Sequence, residues 1–155
     1  MDWRKTLRYV AIGIPTVLLL MQLVPYGRGH ANPSVTRAIR WDSPRTEQLA
    51  TQACGDCHSN LTKWPWYTNV APASWLVQRD VDEGRGKLNF SEWDQAQPDV
   101  SEVVDQTQSG EMPPLQYTLI HGGARLSSAE KRELIDGLIR TYAKDPPAGI
   151  KQGGG

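Results

Sequence analysis

Apolar positions along the chain follow two periods. The first is a continuous run. Residues 9–27 carry no charge, centre on Val17, Leu18, Leu19, Leu20 and Met21, and are preceded by Arg4, Lys5 and Arg8. As a helix, such a run comes close to the roughly 17–25 residues that span a bilayer. It predicts an N-terminal transmembrane anchor over 1–27, with the basic residues keeping that end in the cytoplasm. Pro15 kinks a lipid-buried helix without abolishing it. Gly29-His30-Ala31 offers small residues to a signal peptidase, but the run exceeds the roughly 7–15 apolar residues of a cleaved signal. Retention is the expectation. Residues 28–43 hold Gly29, Asn32 and Pro33 without a helical period and read as a linker.

The second period is helical. Ser43 as cap and Pro44 at the first position open a helix over 44–56, with Leu49, Ala50 and Ala53 on one side. Pro72 opens a second over 72–83, where Trp75, Leu76 and Arg79 share a face and Gly84 is the stop. Pro98 opens a third over 98–109, with Val100, Val103, Val104 and Thr107 as its stripe and Gly110 after it. Ser127 and Glu130 form a capping box ahead of Leu134, Ile135, Leu138, Ile139 and Tyr142, and Asp145-Pro146-Pro147 ends that helix. Residues 59–71 are irregular, 89–93 hold a turn or two of helix, and 146–155 read as a disordered tail. Neither strand alternation nor an internal repeat emerges. The fold class is therefore all-α: a helical domain over 44–145 behind one transmembrane helix.

Composition narrows the function. The 155 residues balance 17 basic against 17 acidic side chains, which argues against a nucleic-acid partner. Six tryptophans, one phenylalanine and 14 glycines suit a small domain whose core is completed by a cofactor, since such a domain otherwise buries little apolar surface. Residues 80–111 hold nine acidic and two basic side chains. They form a surface that can steer a basic partner, although a solvated helical face explains the same charges.

The chemistry concentrates in Cys54-Gly-Asp-Cys57-His58, which contains the two cysteines of the chain. This is the attachment spacing for c-type haem. Each thiol adds to one vinyl group on the same porphyrin edge, and the histidine that follows lies beneath the iron. A thioredoxin-like motif needs a βαβ setting. A structural zinc site needs two further ligands, and His30 and His121 are isolated. A disulfide leaves His58 without a role. The expected cofactor is one covalent haem c on Cys54 and Cys57, with His58 as a metal ligand.

Met112 is the candidate for the sixth position. It lies between Gly110 and Pro113-Pro114, and the other methionines, Met1 and Met21, fall in the N-terminal segment. A thioether ligand raises the reduction potential. The competing readings are a core-filling Met112, His121 as ligand, and an open iron. Trp64, Trp66 and Tyr67 are candidates for packing on the ring or bonding a propionate, and Arg79 or Lys63 for pairing with a propionate. Ordinary core and rim roles fit the same residues.

Several segments together resemble the bacterial haem-binding-domain family of small, membrane-anchored c-type cytochromes. They are Asn32-Pro33, Cys54-Gly-Asp-Cys-His58-Ser-Asn60, Trp64-Pro-Trp-Tyr67, Val70-Ala-Pro-Ala-Ser-Trp75-Leu76, Asp80-Val-Asp-Glu-Gly84-Arg85, Leu88-Asn-Phe-Ser-Glu-Trp93, Gly110-Glu-Met-Pro113 and Leu126-Ser127. The resemblance covers about residues 32–143. It implies one covalent haem with His58 as proximal ligand and supports Met112 as the distal one. It names a cofactor and no partner. The expected function is single-electron carriage without substrate turnover, exchanging with redox partner proteins. The expected location is the periplasmic face of a bacterial inner membrane, in a single-pass protein whose N-terminus is inside and touches the lipid bilayer. A relay subunit of a larger respiratory or photosynthetic complex, and a haem enzyme or gas sensor with an open iron, are the alternatives.

Overall fold

The structure is a computed structural model that describes residues 2–151. Six α-helices run through it in the order α1 (Trp3–Met21), α2 (Pro44–Ala53), α3 (Ala73–Lys87), α4 (Val100–Ser109), α5 (Leu115–Ile120) and α6 (Ser128–Lys144). Short 3₁₀ turns occupy Trp66–Asn69 and Gly122–Ala124. The chain divides into two units, one of Met1–Ala31 with Trp64–Asp80, the other of Asn32–Lys63 with Val81–Gly155.

In the first unit α1 is capped by Asp2, whose side chain accepts from the Arg4 amide, and Pro15 lies inside it. The helix ends at Met21, and Gln22 caps it. The Gln22 side-chain amide then donates to the Ala71 carbonyl at 2.9 Å and accepts from the Ala71 amide at 3.0 Å. Gly27 has φ +79 and approaches Ser74 so closely that a Cβ would lie 2.1 Å from its carbonyl oxygen.

This ending corrects the transmembrane expectation. The uncharged part of the helix is only residues 9–21, about 20 Å long at 1.5 Å per residue, against a hydrocarbon core of about 30 Å. Residues 22–27, counted into the run from sequence, leave the helix as turns. Among the described residues no helix is long and apolar enough to cross a membrane. The anchor over 1–27, the single-pass inner-membrane location and the bilayer as a partner of that helix are withdrawn on this ground.

The second unit is built on α2, α4 and α6. Ser43 caps α2 from extended backbone, with its side chain accepting from the Thr46 amide and Pro44 in the first turn. Ser127 and Glu130 complete the capping box of α6. Asp99 caps α4, and Gly110 closes it at φ 83 in the left-handed region, where glycine carries no Cβ penalty. α6 packs against both α2 and α4. The α2–α6 crossing is close: a Cβ on Gly137 would lie 2.2 Å from the Thr46 hydroxyl oxygen. Leu49, Ala50, Leu88, Phe90, Trp93, Leu134 and Leu138 fill the core between these helices and the 88–93 segment. Trp93 is fully buried, donates its indole N–H to the Asp145 carbonyl at 2.8 Å and meets Tyr142 edge-on at 5.1 Å.

Several details differ from the sequence expectation: α2 stops at Ala53 instead of 56, and α4 starts at Val100 instead of 98. α3 runs through Gly84 to Lys87. Residues 89–93 form turns instead of helix. β2 (Gly149–Ile150) pairs in parallel with β1 (Ala96–Gln97), so the described part of the 146–155 tail is anchored, while 152–155 lie outside the described residues.

Candidate functional site

Cys54 is the C-cap of α2. From there the backbone turns tightly, with the Cys57 and His58 amides both donating to the Cys54 carbonyl, at 3.2 and 2.9 Å. The two cysteines form no disulfide, and each is half-buried. Cys54 packs against the core cluster. Burial first, and the neighbouring Cys57 second, push its pKa up to about 12.

His58 is oriented by backbone. Its Nδ1 lies 3.0 Å from the Gly84 carbonyl oxygen and 3.1 Å from that of Leu88. Both partners are acceptors, so Nδ1 carries the proton and Nε2 the lone pair. Burial lowers the pKa of His58, and the two carbonyls work against that shift. The ring is therefore neutral near neutral pH. Gly84 makes the arrangement possible. A Cβ there would lie 2.5 Å from the Cys57 carbonyl oxygen, so only glycine lets this turn of α3 reach the motif.

Downstream, a polar network fixes the exit from the motif. Asn60 is buried and donates to the Ser34 carbonyl and the Glu92 carboxylate, at 3.1 and 2.9 Å, while its side-chain oxygen accepts from Asn89 at 2.9 Å. Arg85 donates to the Ser59 carbonyl and the Thr62 hydroxyl, at 2.9 and 2.8 Å. Asp56, inside the motif, accepts from the Tyr117 hydroxyl at 2.7 Å and from the Lys63 amide at 3.2 Å.

Met112 lies in the same unit, half-buried between α4 and α5. Its amide donates to the Gln106 carbonyl at 3.0 Å, and the bond from Met112 to Pro113 is cis.

A family model described as a haem-binding domain matches residues 16–140, while no curated protein and no solved structure matches the chain. The chain belongs to the haem-binding domain family. It is a haem-binding protein.

The residues present fit a haem. A histidine that gives its Nδ1–H to backbone carbonyls and keeps Nε2 bare is the arrangement a metal-bound imidazole adopts. Two thiols that are not joined in a disulfide precede it, at the spacing of the porphyrin vinyl groups. A cavity of about 770 Å³ opens in the same unit, with Trp41, Thr51, Gly55, Asp56, Phe90 and Tyr117 among its walls. Cys54, Cys57, His58 and Met112 do not line it, so the donor set carries the fit and the cavity does not.

Trp64, Trp66, Tyr67 and Arg79 belong to the other unit. There Trp64 stacks on His30 at 4.8 Å, exposed Trp66 meets Tyr67 edge-on at 6.0 Å, and Arg79 lines a cavity with Tyr26, Trp75 and Leu76. Their contact with a porphyrin stays a proposal. Sequence reasoning missed Asp56 and Tyr117 as partners, and the Gly84 and Leu88 carbonyls. Gly84 was visible as a helix stop and as part of the Asp80–Arg85 segment of the family resemblance, without a role at His58. A carbonyl acceptor leaves no trace in residue identity.

Proposed function

We propose that this haem-binding protein carries single electrons on one covalently attached haem, with His58 and Met112 as axial ligands and without substrate turnover. The observation that carries the reading is the His58 ring: proton on Nδ1, held by the Gly84 and Leu88 carbonyls, and Nε2 bare one residue after Cys57. Haem supplies reversible one-electron redox chemistry when bound. The chain supplies the rest. Cys54 and Cys57 give thioether bonds, each formed when S–H adds across a vinyl group, sulfur to one carbon and hydrogen to the other, with no net oxidation. His58 gives a fixed imidazole whose basicity the two carbonyls raise. Met112, on a loop stiffened by Pro113 and Pro114, gives a soft ligand that favours the reduced state. Redox partner proteins exchange the electron.

The test is spectroscopic. Protein matured with attachment machinery keeps its haem through denaturing electrophoresis, and Cys54→Ser with Cys57→Ser loses it. Ferrous wild type binds carbon monoxide poorly, whereas Met112→Ala binds it readily and has a lower potential. Ready binding by the wild type, unchanged in Met112→Ala, sinks Met112 ligation and brings forward an open-iron enzyme or sensor.

A further inference from the structure

The loop that bears Met112 continues into a short helix whose Thr118 carbonyl accepts from the Arg125 side chain at 3.1 Å. α5 has six residues, Leu115–Ile120, none of them buried. Leu115, Leu119 and Ile120 are 71%, 64% and 65% exposed, so apolar burial does not fix its position. It leans on the 3₁₀ turn Gly122–Ala124 that follows it directly. Its side-chain bond to the motif comes from Tyr117, whose hydroxyl donates to Asp56 Oδ2 at 2.7 Å. An O–H donor to a carboxylate is among the stronger hydrogen bonds.

Asp56 is a firm post for that bond. Its Oδ1 accepts from the Lys63 amide at 3.2 Å, and its carbonyl accepts from the Thr62 hydroxyl at 2.7 Å. It also sits between Cys54 and Cys57, so thioether attachment would pin its backbone from both sides. The Tyr117 ring is set in turn by His121, stacked on it at 4.1 Å with 23° between planes. His121 Nδ1 bonds the Tyr117 carbonyl at 3.1 Å.

We infer that Tyr117 is a positioning residue for the distal ligand: its bond to Asp56 latches α5, and with it the Met112 loop, to the haem-attachment turn. This rests on the reading of Met112 as ligand. It gives His121 a supporting place in the latch, and it gives Asp56 a reason to stand inside the motif.

The experiment uses the full chain matured with haem, in wild type, Tyr117→Phe, Asp56→Asn, the pair together, and Met112→Ala as reference. Tyr117→Phe keeps the ring and its stacking on His121 and removes only the hydroxyl. The expected result is an association rate of ferrous protein with carbon monoxide about tenfold above wild type, a weaker methionine-to-iron charge-transfer band and a lower potential. Haem staining and helical circular dichroism stay at wild-type levels. Asp56→Asn keeps a neutral acceptor and gives a smaller rise. The pair does no more than Tyr117→Phe alone, because one bond is lost in either case. If Met112→Ala admits carbon monoxide while Tyr117→Phe stays within about twofold of wild type, the latch is wrong and Met112 ligation survives. A rise in Tyr117→Phe accompanied by lost helicity marks general loosening and also overturns the latch. If Met112→Ala itself changes nothing, the ligand assignment and the latch fall together.

Discussion

Cys54 and His58 show how burial prepares side chains for opposite tasks. The thiol of Cys54, packed on the core, is held protonated by a pKa pushed up to about 12. Thiolate is the reactive form. In the folded haem-free chain Cys54 is therefore expected to react with iodoacetamide at pH 8 at least about a hundredfold more slowly than in urea. Peptide mapping by mass spectrometry reads this, and equal rates in the two conditions would contradict the packing described. For His58 the same burial keeps the ring neutral, the form that binds a metal. The thiols and the histidine were legible from sequence because the porphyrin edge dictates their spacing within five residues. The acceptors for Nδ1 were not, because they are carbonyls delivered by a close approach of α3 at Gly84.

The α2–α6 crossing places the attachment turn, since Cys54 caps α2 and α6 backs it. Its closest point is Gly137 against Thr46, with 2.2 Å left for a Cβ. Thr46 is buried and bonded to Ser43 at 3.0 Å, so it yields little. Gly137→Ala is expected to destabilise the protein by about 1–3 kcal/mol through overpacking. That loss outweighs the gain in helix propensity of about 1 kcal/mol. Combining it with Thr46→Ala should cost less than the two single losses added, because the second change removes the obstructing atoms. Urea unfolding midpoints measure both, and a Gly137→Ala protein as stable as wild type would show that the helices do not cross this tightly. The capping box of α6 was readable from its Ser127–Glu130 pair, and its stripe from the period, except for Ile139, which is 47% exposed and faces away from the core. Gly137 was not singled out, since its reason lies on another helix. α5 escaped notice because six residues with no buried face leave no period. α1 was overcounted because an uncharged run is not the same length as the helix it forms: Met21 ends the helix and the run continues to Gly27.

At the scale of the Asn32–Lys63 and Val81–Gly155 unit, closure depends on polar bonds between its first and last segments. Asp145 is buried, accepts from the Arg37 side chain, and accepts from the Arg40 amide at 2.8 Å. Asp42 accepts from Arg140 at 2.7 Å and from the Thr141 hydroxyl at 3.3 Å. These bonds join residues about a hundred positions apart, which is why 28–43 read from sequence as a mere linker. The Asp42 side chain is only 11% exposed. Burial raises its pKa, but the bonds from Thr46, Arg140 and Thr141 outweigh that and leave the carboxyl below its ordinary value. The unfolded chain then takes up the proton more readily than the folded one. The stability Asp42 contributes is thus present above the unfolded carboxylate value of about 3.9 and is lost as pH falls through the lower folded value. Asp42→Asn removes the charge and keeps the shape. The variant is expected to be less stable than wild type at pH 7. The difference should shrink as pH falls below the unfolded value of about 3.9 and wild-type Asp42 takes up its proton as well. Urea midpoints at a series of pH values measure the convergence. Curves that stay parallel down to the acid transition would show that Asp42 is not held ionised by these bonds, and the acid sensitivity of the unit would then have to come from other carboxylates.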